Sequence, residues 1–169
     1  MSDGAVDSGP SPGPEYGPIA ALEAFPSWLG ALARDFNEPQ ARVRPAPTAF
    51  ALVEHAHHLL DLELEGYWVR VRRLLATDRP FLPDLDGAAL ARERQYIVKP
   101  LWAALTRFSA ARAASVALLR SIPSSAWSRP GELEGAGPIT LAGLVARWAA
   151  HDAGHGQELA ALRRVVLGE

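Results

Sequence analysis

All five histidines of the chain fall into two clusters, His55, His57 and His58 in one and His151 and His155 in the other. Two histidines four residues apart on a helix project the same way, one turn above the other. That spacing lets two imidazoles share one ion, at nitrogen-to-metal distances of about 2.0–2.1 Å for zinc. His151 and His155 belong to the stripe Leu144, Trp148, His151, His155, Leu159, Leu162 and Val166, whose spacing of 4, 3, 4, 4, 3 and 4 is that of a core-facing helix. Imidazoles buried in an apolar seam need partners for their nitrogens, and a metal ion is one efficient partner. A hydrogen-bonded pair of core histidines would meet the same need, but a further histidine cluster on another helix favours a divalent ion. The chain has no cysteine, which excludes disulfides, thiolate ligands and a cysteine nucleophile. The ion must therefore be held by nitrogen and oxygen, and Zn, Ni and Fe all accept such a set.

Periodicity leaves open which histidine of the first cluster joins the pair. At 100° per residue, the most apolar face of that helix carries Val53, Ala56, Leu60, Leu64, Tyr67 and Val71, with His57 near it. His58 lies opposite, with Glu54, Asp61 and Glu65, although Leu62 and Val69 share that flank. On this pattern His57 is a core residue, His58 a ligand in a polar cleft and His55 a surface residue, or the roles are exchanged. Glu54 and Asp61, one turn either side of His58, are the candidate catalytic residues, able to orient an imidazole or act as a base. Solvated charges or salt bridges are the competing reading for both. Asp152 is offset from the histidine stripe and is expected to pair locally at the helix surface. Trp148 either walls the metal pocket or packs in the core, with core packing favoured. Arg70, Arg72 and Arg73 could bind an anion, with a solvated helix face as the plainer alternative.

The elements that must position these residues are helices. At 169 residues, 49 % hydrophobic and net charge −2, the chain suits one globular domain, and its dispersed arginines give no nucleic-acid footprint. No stretch approaches the ~20 apolar residues of a membrane helix, and the start of the chain lacks the basic and apolar regions of a secretory signal. A cytoplasmic protein acting on a small-molecule substrate, with no nucleic-acid or membrane partner, is expected. Residues 1–18, rich in Gly, Pro, Ser and Asp, read as a disordered tail, and residues 19–169 as the helical domain. Pro26 marks a helix start or break before a short helix through Trp28, Leu29, Leu32 and Phe36. A long helix is expected from an N-cap at Thr48 to about Ala76, and a second from about Ala88 to Ile122, which Pro100 bends or splits. Pro123 to Pro138 reads as a loop. The last helix starts near Ile139, where Thr140 can cap, and ends at Gly168. No strand-like alternation of useful length is present. Several helices with short connectors imply an all-α, four-helix up-and-down bundle.

The run Phe50-Ala51-Leu52-Val53-Glu54-His55-Ala56-His57-His58-Leu59-Leu60-Asp61-Leu62-Glu63 resembles the first motif of the DinB/YfiT-like superfamily, with Phe50, His58, Asp61 and Glu63 in register. Trp148-Ala149-Ala150-His151-Asp152-Ala153-Gly154-His155-Gly156-Gln157 resembles that superfamily's closing H-D-x-x-H motif. Phe50 stands where Trp is more usual, and Gly156 where an apolar residue often packs. The resemblance implies His58, His151 and His155 as the ligands of one divalent ion, in a bundle that is often a homodimer. Three neutral imidazoles leave a coordination position open, as in catalytic rather than structural sites. Characterised members include thiol transferases and a thiol-dependent isomerase, in which the metal binds a low-molecular-weight thiol cosubstrate. A thiol S-transferase or a metal-water hydrolase is therefore implied, against a non-catalytic metal-binding bundle of stress or damage response.

Overall fold

The computed structural model describes residues 16–168. Helix α1 spans Tyr16–Ala33 with Pro26 inside it. It therefore begins at Tyr16 rather than near Ile19 and passes through Pro26 unbroken; the rest of the expected tail lies outside the described residues. A connector containing one turn of 3-10 helix, Gln40–Arg42, leads to α2, Leu52–Asp61. Thr48 is not the cap of this helix. Its entry is stabilised instead by Glu54, whose carboxylate accepts the backbone N–H of Ala51 at 3.0 Å. Without a break, α2 runs into a π-helical segment, Leu62–Tyr67, and on into α3, Trp68–Ala76.

The second long pattern is split. Helix α4 covers Gly87–Glu93, Gln95 turns the chain at φ 50°, and a 3-10 turn at Tyr96–Val98 precedes Pro100. Pro100 stands immediately before α5, Leu101–Ser121, where its missing N–H would have had no helical partner. The expected Gly/Pro loop holds a hairpin: β2, Pro130–Leu133, pairs antiparallel with β3, Gly137–Thr140, and parallel with the two-residue β1, Phe81–Leu82. Gly135 and Gly137 at the bend have φ of 74° and 80°, which only glycine adopts freely. Strands this short show no alternation long enough to read. Helix α6, Leu141–Leu167, starts with Thr140 accepting the N–H of Gly143 at 3.1 Å and ends at Gly168, φ 76°, as its capping residues foretell.

The four long rods form a bundle in which α1 packs against α5 and α6, and α2 packs against the same two. Helices α1 and α2, consecutive in the chain, therefore face each other across the bundle rather than side by side. This makes α2 the innermost element: every residue from Ala51 to Leu60 is buried, a helix covered on all sides. Its Leu52, Leu59 and Leu60 pack with Leu29, Leu101, Phe108 and Leu159, while Leu22, Leu74, Leu119, Leu141 and Trp148 form a second cluster. Each such leucine contributes roughly 1.5–3 kcal/mol on burial. Between the two clusters lies Arg112, its guanidinium 4.8 Å from the Phe108 ring and 5.1 Å from the Trp148 ring. It donates to Glu63 at 2.9 Å, to Asp152 at 2.6 Å and to the carbonyl of Leu22 at 2.9 Å, joining α5 to the π segment, α6 and α1. Among the described residues no helix is long and apolar enough to cross a membrane.

Candidate metal centre

His58 sits in the last turn of α2, and His151 and His155 lie one turn apart on α6. One nitrogen of each comes within 4.8 Å of the other two. Nε2 of His151 and Nε2 of His155 are 3.1 Å apart, close to the ~3.3 Å that two nitrogens take on one tetrahedral zinc. The His58 ring lies 4.8 Å from that of His155 and 5.6 Å from that of His151, centroid to centroid.

The outer faces of these rings are set by neighbours. Glu158 approaches Nδ1 of His155 at 2.9 Å; a carboxylate only accepts, so Nδ1 carries the proton and Nε2 presents its lone pair to the cluster. Nδ1 of His58 is buried without a hydrogen-bond partner, because the backbone of Gly87 covers it. A methyl group at Gly87 would fall 2.2 Å from Cε1 and 2.5 Å from Nδ1 of His58. Nδ1 of His151, also buried and unpartnered, faces Oδ1 of Asp152 at 3.6 Å, itself unpartnered. Phe50 flanks His58 at 5.4 Å and His55 at 5.5 Å.

Burial favours the neutral, metal-binding form of His58 and His155. Desolvation, helped by the neighbouring histidines, pushes His58 down to about 3, and His55 likewise. His155 is also lowered by burial, with Glu158 opposing. Converging imidazole nitrogens, orphaned buried nitrogens and a carboxylate fixing one tautomer all fit a divalent ion held by His58, His151 and His155.

The neighbouring histidines have other roles. His57 shares a hydrogen bond with the carbonyl of Pro100 at 3.3 Å and stacks on Tyr96 at 5.5 Å, a core histidine. His55 is buried, 3 % exposed, and not a surface residue. With His155 and Glu158 it forms a second group of potential ligands within 4.8 Å, its unpartnered Nδ1 standing 3.9 Å from the Glu158 carboxylate. The helical projection misplaces His55 because α2 is enclosed on every side. It also misplaces Leu64, 37 % exposed, since the π segment changes the winding after Asp61.

Both sequence-selected carboxylates are occupied by arginines. Glu54 accepts from Arg44 at 2.7 and 2.5 Å. Asp61 accepts from Arg94 at 2.6 Å and from the Tyr96 hydroxyl. Neither belongs to a ligand group that closes within 4.8 Å among the described residues. Asp152, expected at the surface, is 3 % exposed and bound to Arg112. Arg70 is not on a solvated face: it is 4 % exposed and donates to the Pro83 carbonyl and to Asp84. Trp148 is core, as favoured, stacked face to face on Tyr67 at 4.8 Å.

Two cavities of opposite character flank the histidines. One, of about 410 Å³, is walled by Phe50, Ala88, Ala161, Leu162 and Val165, with His55, His155 and Glu158 at its polar edge. The other, of about 430 Å³, is lined by His58, His151, Tyr67, Arg70, Arg147 and Asp84 among others.

A family model, the DinB superfamily, matches residues 21–159, a span that holds both histidine motifs. The chain belongs to the DinB superfamily. None of the curated proteins matches it. Among solved structures it is similar to YfiT from Bacillus subtilis, described as a probable metal-dependent hydrolase with an unusual four-helix bundle topology. That match has a TM-score of 0.83 at 19 % identity and covers 93 % of this chain and 90 % of that one. The shared fold accounts for the helix order described above.

Glu158, Gly87 and Arg112 escaped the sequence reading, which placed Tyr67 only on an apolar helix face. Glu158 alone carried a legible signal, an acid three residues after His155 and so on the same helix face.

Proposed function

We propose that this DinB-superfamily chain is a metal-dependent enzyme of the hydrolase or thiol S-transferase type, with His58, His151 and His155 holding one divalent ion. The observation that carries the reading is the convergence of three imidazoles within 4.8 Å beside a cleft that His58 and His151 line. A bound Zn, Ni or Fe ion would supply a nucleophile there by lowering the pKa of a coordinated water or thiol toward neutrality. The chain's own residues prepare the site: Glu158 fixes the tautomer of His155, Gly87 seats His58, and burial favours the neutral form of His58 and His155. A purely structural site would be closed by a further side chain. Of the candidates to close it, Glu54 and Asp61 are tied to Arg44 and Arg94 and His55 groups with His155 and Glu158 rather than with His58 and His151, which supports an open position and hence catalysis over a non-catalytic stress-response bundle.

Hydrolysis and thiol transfer differ only in what occupies that position. The description of YfiT as a probable hydrolase supports water; the lack of any cysteine means that a thiol nucleophile would have to come from a low-molecular-weight cosubstrate. The proposal includes a small-molecule substrate, a cytoplasmic setting and a homodimer.

Elemental analysis of tag-free protein beside a His151→Ala, His155→Ala double variant tests the site. About one ion per chain, lost in the variant, is expected; no ion in either protein after incubation with excess metal would refute the reading. Loaded protein is then assayed for ester or amide hydrolysis and for thiol consumption with a test electrophile. His58→Ala should abolish whichever activity is found.

A further inference from the structure

The polar cleft beside His58 and His151 has one unmatched charge. Its single acid among the described residues, Asp84, is bound by Arg70 at 2.9 Å, so these two cancel. Arg70 is further fixed by the Pro83 carbonyl at 3.0 and 2.8 Å and lies over the Tyr67 ring at 5.5 Å. Arg147 remains. It lies on α6 one turn before His151, so it projects along the same face. It is exposed, lines the cleft, and has no hydrogen bond or ion pair among the described residues.

Tyr67 supplies a second donor. Its ring is clamped on Trp148 with the planes only 5° apart and meets His151 edge-on at 5.7 Å. Its hydroxyl has no hydrogen-bond partner among the described residues and is not fully buried, so it opens on the cleft that Tyr67 lines. The apolar cavity on the other side of the histidines has no cation in its lining and carries Glu158, so an anion is repelled there.

We propose that the cleft is a carboxylate subsite: Arg147 pairs with a carboxylate of the substrate, the Tyr67 hydroxyl donates to it, and the substrate's reacting group is thereby placed toward His58 and His151. The planar guanidinium fork of Arg147 and the phenolic donor of Tyr67 together match the two oxygens of a carboxylate. The assignment rests on the reading of the histidine cluster as an active site, since it places a substrate beside it.

The test uses benzoate and its neutral isostere benzamide, whose ring can rest on Leu62 and Leu85 in the cleft lining. Both are titrated into metal-free and metal-loaded protein at low salt, with binding read by calorimetry or NMR. Benzoate should bind parent protein about tenfold or more tightly than benzamide, as a charge-assisted contact implies. Arg147→Gln should remove that preference while leaving benzamide unchanged, and Tyr67→Phe should reduce it. These effects should be present without metal. If benzoate shows no preference, or keeps it in Arg147→Gln, the subsite is wrong. A preference confined to metal-loaded protein and indifferent to Arg147→Gln would place the anion on the ion itself, supporting the metal reading while overturning this one. Conversely, a protein that takes up no metal but shows the Arg147-dependent preference would retain the subsite and lose the metal.

Discussion

The contact between Gly87 and His58 yields a sharp test of the centre. In Gly87→Ala the new methyl carbon would lie 2.2 Å from Cε1 and 2.5 Å from Nδ1 of His58. Non-bonded carbons need about 3.5 Å, so the imidazole must retreat by more than ~1 Å. The ring is enclosed by Phe50 at 5.4 Å, His155 at 4.8 Å and His151 at 5.6 Å, which leaves it nowhere to go but into the cluster. Metal ligands tolerate roughly 0.5 Å of misplacement, and losing the support of a ligand weakens affinity by about 10–100-fold, or about 1.4–2.8 kcal/mol. Without the clash the opposite sign is expected, because Gly87 opens α4 and alanine in place of glycine favours a helix by roughly 0.5–1 kcal/mol. Gly154→Ala is the control: it lies in α6 with nothing within 4 Å of a new methyl, and should stabilise the protein without touching metal binding. The assay is competition for zinc against a chromophoric chelator, with thermal unfolding of the metal-free proteins alongside. If Gly87→Ala binds zinc as tightly as the parent, then His58 is either not a ligand or not held by Gly87.

Three further outcomes are expected. Metal-free protein should lose stability as pH falls below 6.5: the unfolded chain then takes up protons that His55 and His58, held at about 3, refuse in the folded state. Stability is thus full above 6.5 and declines toward 3 by about 1.4 kcal/mol per pH unit for each residue, and a melting temperature flat from pH 7 to 5 would contradict it. Arg112→Met strands Glu63 and Asp152, 1 % and 3 % exposed, and should cost about 3–5 kcal/mol in urea unfolding; a loss below ~1 kcal/mol would mean that the network carries little of the fold. Glu158→Gln removes the carboxylate on Nδ1 of His155 and should weaken zinc binding about 10–100-fold with little change in metal-free stability, because Glu158 is exposed; unchanged affinity would free His155 from that dependence.

The chain alone determined the helical class, the capped last helix and the pairing of His151 with His155, because these rest on local rules: 3.6-residue periodicity, a capping threonine, a terminal glycine. It also held both motifs of the family. What local rules cannot carry is how far an element is enclosed. Helix α2 is covered on every side, so a one-face projection could not rank His55, His57 and His58, and put Leu64 inward. The π segment at Leu62–Tyr67 has no signature in periodicity, yet it delivers Glu63 to Arg112 and accompanies Tyr67 to the cleft. The fates of Glu54, Asp61 and Asp152 were settled by which arginine came within reach: Arg44, Arg94 and Arg112, the last 40 residues away in the chain. Gly87 over His58, and the opposed characters of the two cavities, arise from elements distant in sequence meeting in space. Helix periodicity and motif spacing nominate the ligands; only tertiary packing decides which nitrogens are left without partners and which charges are left unpaired.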